Sequence, residues 1–427
     1  MRLLTVVCGI VLATLGLQAQ SSAPASLIAI RAARLLDVEA GRMVRPGVLV
    51  IEGDRIRATN PETLPPGIQM IELGDLTLLP GLIDLHVHLT FDYEGDWLHG
   101  PVVETAADET LRGVPNARKT LLAGFTTVRN LGAGSFTDVA LMRAVETGRI
   151  DGPRIVPAGW ALGSTGGHCD VTGFAPGVLE TSFREGVGDG PDELVKALRY
   201  QSKHGAKAIK ICATAGVMSL EATVGARQLS DSELRAIVDE ARRQGLTVAA
   251  HAHGTDGIIA ASRAGVTTIE HGSILDDEAI RTLNEMGTWL VPTIYSWQIP
   301  MLPTDPPELK AKNELVKGLA EKSIRSAIAA GVKIAFGTDA GVYPHGDNAR
   351  EFAVLVRLGM SAAEAIRTAT VHAASVLGLT DRGTLTPGRL ADVIGVPGDP
   401  LSDVSVLEHV TFVMKGGVVF KEPASGR

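Results

Sequence analysis

Short apolar runs in the middle of this chain repeatedly carry, at or near their end, a metal-binding residue or, once, a lysine. They are Leu82-Ile83-Asp84-Leu85-His86-Val87-His88, Ala208-Ile209-Lys210-Ile211-Cys212, Val248-Ala249-Ala250-His251, Thr268-Ile269-Glu270-His271 and Ala335-Phe336-Gly337-Thr338-Asp339. Side chains two apart on a strand share a face, so His86 and His88 form a two-pronged clamp. Imidazole nitrogen and carboxylate oxygen are the usual ligands of a hydrolytic divalent ion such as zinc. A lysine inside an apolar strand is costly unless neutralised or paired, so Lys210 needs a reason.

From about Gly81 to Leu379, short apolar runs alternate with amphipathic helical stretches, the signature of parallel β-α units. Eight strands are expected: Leu82–His88, Thr126–Leu131, Arg154–Leu162, Ala208–Thr214, Thr247–His253, Thr267–Gly272, Trp289–Thr293 and Lys333–Asp339. Ser230-Asp231-Ser232-Glu233 is a capping-box pattern ahead of a helix that Gly245 ends, and Ser361-Ala362-Ala363-Glu364 opens another. Eight units predict an α/β fold, a (β/α)8 TIM-like barrel over residues 81–380. Catalytic groups in that fold sit at the carboxyl ends of the strands, where the candidate ligands fall. An open doubly wound sheet would want a glycine-rich phosphate turn, of which Gly132-Ala133-Gly134 is only a weak echo.

Residues 27–80 are rich in valine, isoleucine and threonine, with turn signals at Glu52-Gly53-Asp54, Pro65-Pro66-Gly67 and Leu73-Gly74-Asp75. Residues 381–422 again read strand, turn, strand, so both termini are expected to build one small β-sandwich domain. Before them, Met1-Arg2, the apolar run Leu3 to Leu17 and the small Ala19 have the layout of a secretory signal peptide over residues 1–19. The protein is therefore expected to be exported, periplasmic or secreted, with no membrane anchor after cleavage. The formal charge of −8 and the 4% aromatic content argue against a nucleic-acid partner. Without the leader, only Cys169 and Cys212 remain. One disulfide is arithmetically possible, and small buried thiols are the favoured reading.

Lys210 has two readings: a salt bridge to a neighbouring acid, or a carbamate that bridges two metals as an anion. A cationic ammonium beside two divalent ions would be repelled, which favours the carbamate. Asp339 would bind one metal and accept a proton from the bridging water, whose pKa the metals lower.

These motifs, with Pro80-Gly81 before the first strand, Gly337-Thr338-Asp339, and Pro387-Gly388-Arg389-Leu390-Ala391-Asp392 near the C-terminus, resemble the amidohydrolase superfamily over almost the whole chain. The resemblance implies His86, His88 and Asp339 on one ion, His251 and His271 on the other, and carboxylated Lys210 bridging. It implies two divalent metals, zinc the expected ion, and attack by a bridging hydroxide. Gly166-Gly167-His168-Cys169-Asp170, Thr126-Thr127-Val128-Arg129-Asn130-Leu131-Gly132 and His251-Ala252-His253-Gly254 are similar to the metal-dependent Xaa-Pro and Xaa-Arg/Lys dipeptidase branch. That branch includes amidases that split ochratoxin A, so the implied partner is a small-molecule amide or dipeptide, and relatives commonly form homo-oligomers. Deaminases of the superfamily use a His-X-X-Glu on the fifth strand, and here Gly254 stands in the acid's place. Imidazolonepropionase-like or other cyclic-amide hydrolysis, lactone hydrolysis and non-catalytic metal binding compete with amide hydrolysis within the same fold.

Position alone nominates His168 after the third strand, His253 two beyond His251, and Tyr295 after the seventh strand as substrate contacts. Arg129 is expected to pair with an acid beneath the metals, and His372 to be structural.

Overall fold

The computed structural model describes residues 27–95, 98–221 and 223–423. The expected leader lies outside them. No helix among the described residues is long and apolar enough to cross a membrane.

Two parallel sheets carry the middle of the chain. One joins Leu82–Val87, Phe125–Asn130 and Arg154–Pro157, and the other joins Ala208–Cys212, Thr247–Ala252, Thr268–His271 and Trp289–Val291. Single parallel bridges link Leu162 to Ile211, Leu290 to Ile334, and Ala340 back to Val87. Helices alternate with these strands, as their sequence signals require. Ser230 caps Asp231–Arg243 through a complete capping box, and Ser361 does the same for Ala362–Arg367.

Two expected strands depart furthest from their apolar runs. The third stops at Pro157 because the buried Asp138 carboxylate accepts the Ala158 and Gly159 amides at 3.1 and 3.0 Å, and Gly159 turns at φ 66°. The eighth, Lys333–Asp339, is an irregular extended segment. Its Phe336 amide donates to Thr368 O, while Thr338 and Asp339 both donate to His86 O, so no regular ladder forms.

Strands from both ends of the chain share one antiparallel-rich sheet. Leu76–Pro80 pairs with Val393–Pro397 over five residues, and Phe412–Lys415 and Val418–Lys421 extend the same sheet. A second, four-stranded sheet contains Leu27–Ala32, Gly47–Glu52, Arg55–Thr59 and Gln69–Glu72. Ile30, Leu49 and Ile51 of the latter and Leu78, Val393, Phe412 and Met414 of the former make one apolar cluster. Apolar side chains of both sheets are thereby removed from water together.

Candidate metal centre

The strand ends converge on a cavity of about 360 Å³. His86, His88, Lys210, His251, His271 and Asp339 all line it, as do His168 and His253. Asp339 Oδ1 lies 3.4 Å from His86 Nε2 and 3.2 Å from His88 Nε2. Lys210 Nζ is 3.4 Å from His86 Nε2. The ligand atoms of His86, His88 and Asp339 all lie within 4.8 Å of one another, and so do those of His251, His253 and His271. The second trio takes in His253, which the sequence nominated for substrate.

Protonation favours metal binding. Burial, reinforced by neighbouring charges, holds His86, His251 and His271 well below the ordinary imidazole range, so each offers a lone pair. Burial likewise draws the Lys210 ammonium down to about 8, against the opposing pull of Glu270 and Asp339. His251 Nε2 is buried without a hydrogen-bond partner. Unpaired buried acceptors are costly, and a cation is what such an atom lacks. The donor set therefore fits divalent metal.

Outer partners fix the rings. His86 Nδ1 lies 2.8 Å from Glu270 Oε2, and His271 Nδ1 lies 2.7 Å from Thr293 Oγ1. With Nδ1 engaged, Nε2 is left to face the cavity. Glu270 in turn accepts from Arg129 Nη2 at 3.0 Å, the acid expected to pair with that arginine, and both are fully buried. Asp84, raised to about 7 by burial, accepts from Thr338 Oγ1 and Asn348 Nδ2 at 2.6 and 2.8 Å, tying the first strand to the eighth segment. Arg129→Met should therefore destabilise the protein by about 3–5 kcal/mol, because Glu270 would be left buried without its cation. Urea unfolding would measure this, and a loss under about 1 kcal/mol, as for an exposed pair, would contradict it.

An extended strand sends neighbouring side chains to opposite faces. Here Glu270 bonds the His86 ring while the adjacent His271 lines the cavity, and Thr338 bonds Asp84 while the adjacent Asp339 lines the cavity. His271 and Asp339 have φ of 70° and 63°, and Thr293 has 48°. These left-handed positions end the alternation where two consecutive side chains are needed. Each costs of order 1–3 kcal/mol, which surrounding contacts must offset.

The remaining nominees divide. His168 stacks on His251 with centroids 4.1 Å apart, and its Nδ1 lies 2.8 Å from Ser219 Oγ. A Cβ at Gly216 would come within 2.3 Å of its Cε1, so only glycine admits the ring there. His253 Nδ1 lies 2.8 Å from Ser273 Oγ. Burial pushes His168 to about 4 and His253 to about 3, so both are neutral N–H donors. Tyr295 does not line the cavity. It packs on Tyr343 and accepts from Arg350, because the 3-10 turn Ile294–Gln298 presents Ser296 and Trp297 inward instead. His372 is held by Ile334 O at 3.0 Å, away from the cavity. Cys169 and Cys212 are disulfide-bonded with Cα atoms 5.7 Å apart, replacing the expectation of free thiols. The Leu162–Ile211 bridge draws the loop after the third strand over the end of the fourth. Sequence reasoning missed Glu270, Thr293, Ser219, Ser273 and Asn348 as partners of the site. Only Glu270, adjacent to His271, stood in a motif already singled out.

Two histidine-rich clusters that could each hold a metal ion, beside a buried strand lysine, are a donor set suited to hydrolytic chemistry. The chain belongs to the Amidohydrolase family, whose model matches residues 77–420. It is 36% identical over 375 residues to the ochratoxinase of Aspergillus niger, covering 82% of this chain and 76% of that protein. The crystal structure of A. niger ochratoxinase superimposes with a TM-score of 0.81 at 32% identity, covering 95% of this chain and 98% of that one. A Xaa-Pro dipeptidase crystallised with methionine in its active site superimposes with a TM-score of 0.88 at 36% identity, covering 93% and 100%.

Proposed function

We propose that this protein is a binuclear metal-dependent amidohydrolase that cleaves the amide bond to a C-terminal amino acid, in a dipeptide or an N-acyl amino acid such as ochratoxin A. The observation that carries this is the convergence of His86, His88 and Asp339 on one side, and His251 and His271 on the other, around Lys210 in one cavity. Residues 81–380 are read as a closed eight-stranded β/α barrel, and residues 27–80 with 381–422 as the β-sandwich domain. The bridges that link the two parallel sheets, and the sheet shared by both termini, support that division. Residues 1–19 are read as an export signal, which the N-terminus of the secreted protein would test.

Two bound divalent ions, zinc the expected species, supply Lewis acidity and water that ionises near neutral pH. His86, His88, His251, His271 and Asp339 would hold them, with Lys210, carboxylated, adding an anionic ligand. Asp339 takes the proton from the attacking water and passes it to the departing amine nitrogen. His86 is held for its task by Glu270. The neutral His168 and His253 donate N–H bonds to the substrate when their serine partners donate to Nδ1. The apolar wall of Trp160, Val217, Met218, Trp297, Ile299 and Val342 excludes water from the bond being cut. Relatives that act on ochratoxin A and on Xaa-Pro dipeptides favour an amide substrate over a lactone, a cyclic amide or a deaminase substrate.

Metal-loaded protein screened against dipeptides, N-acyl amino acids and ochratoxin A should release a free amino acid. Hydrolysis confined to lactones or cyclic amides would overturn the reading. Recognition of the free carboxylate should make each substrate better than its C-terminal amide by about ten- to a hundredfold in kcat/KM, the worth of a charge-assisted hydrogen bond. Equal efficiency on the pair would remove carboxylate recognition from the proposal.

A further inference from the structure

Position 293 carries a residue unsuited to its backbone. Thr293 follows the strand Trp289–Val291 and sits at φ 48°, ψ 37°, a left-handed conformation that β-branched side chains disfavour and glycine or asparagine accept. It is fully buried, so neither exposure nor a loop's freedom accounts for the strain. The turn is held from outside: the two carboxylate oxygens of the buried Glu351 accept the Ile294 and Tyr295 amides at 2.9 and 2.7 Å. Thr293 O also accepts from Ser296 Oγ at 2.7 Å. What threonine adds over glycine is a hydroxyl, and that hydroxyl lies 2.7 Å from His271 Nδ1. His271 is itself in a left-handed conformation at φ 70°.

We propose that Thr293 is a positioning residue for the second metal site. Its hydroxyl holds the His271 ring with Nδ1 outward and Nε2 toward His251 and His253, and the strained backbone is retained for that bond. This rests on the reading of His271 as a ligand. An outer hydrogen bond to a ligating imidazole fixes its tautomer and orientation, and its loss typically lowers metal affinity about 10–100-fold.

The test is zinc titration of the chelator-stripped full-length protein against a chromophoric competitor, giving the number of sites and the affinity of each. Thr293→Val keeps the shape and removes the hydroxyl. Thr293→Gly removes it without the φ penalty, and so serves if the valine variant fails to fold. Both should bind zinc about 10–100-fold more weakly at one site, with the other unchanged. Thr293→Ser, which keeps the hydroxyl, should bind as the unsubstituted protein does. Wild-type affinity in the valine or glycine variant would overturn the inference, as would a serine variant as weak as valine. His271→Ala separates the two levels: if it still binds two zinc ions with undiminished affinity, the ligand reading fails. If His271→Ala loses a site while Thr293→Val and Thr293→Gly do not, the failure belongs to Thr293 alone.

Discussion

Lys210→Ala should lose metal and turnover together. The side chain lies 96% out of solvent, 3.4 Å from His86 Nε2, and its charge also bears on His251 and His271. An ammonium there would add positive charge to a site proposed to accept two divalent ions. A carbamate, as proposed, would supply an anion instead, and removing it would leave two cations to repel each other in a medium that screens poorly. The expected fall in turnover is therefore at least about 10⁴-fold, the upper end of what one acid–base group contributes. Metal content should fall with it. Short carboxylates should partly restore the alanine variant by occupying the vacated volume, and bicarbonate should assist reloading of the stripped wild type. Metal analysis beside turnover decides the matter. An unmodified Lys210 ammonium in a fully active, metal-loaded crystal would refute the carbamate.

Asp339→Asn tests a different step. Asparagine keeps an oxygen near His86 and His88, and it tolerates the left-handed φ of 63° at this position, so neither the metal set nor the backbone should be lost. What would disappear is the proposed proton acceptor. In the native site the carboxyl is held below its usual range: burial acts to raise it, but His86 and His88 outweigh that effect. Turnover should drop about 10²–10⁴-fold with KM little changed, the pattern of an interaction made in the transition state. Steady-state kinetics with metal analysis would show it. Near-normal turnover with both metals retained would require another base, and no other carboxylate stands among the clustered ligand atoms of the described residues.

Strand, helix cap and ligand were legible together wherever a local rule governed them. The capping boxes at Ser230 and Ser361 formed because their hydrogen bonds close within one helical turn. Leu82–Val87, Thr247–Ala252 and Thr268–His271 lie within a residue or so of their apolar runs because a buried parallel strand is apolar on both faces. The ligand candidates were readable because five metal-seeking side chains and a buried lysine near the ends of such runs have few other uses.

Contacts between distant segments decided the rest. Asp138 stops the third strand from twenty residues away, and Thr368 captures the amide that would have kept the eighth regular. No window of sequence contains either event. Tyr295 and Trp297 lie two apart, yet a 3-10 turn pinned by Glu351 sends the tryptophan to the cavity and the tyrosine to Tyr343. The cysteines lie 43 residues apart, and only the fold of the loop over the fourth strand brings them within bonding reach. Glu270, Thr293, Ser219 and Ser273 are ordinary polar residues in sequence. They become partners of the site because their oxygens meet imidazole Nδ1 atoms from other strands or loops. The chain by itself thus determined which residues can hold metal and on which kind of element they stand. Which nitrogen each histidine turns inward, and whether it is charged, was decided by tertiary structure, because burial and a hydrogen-bond partner from elsewhere set both.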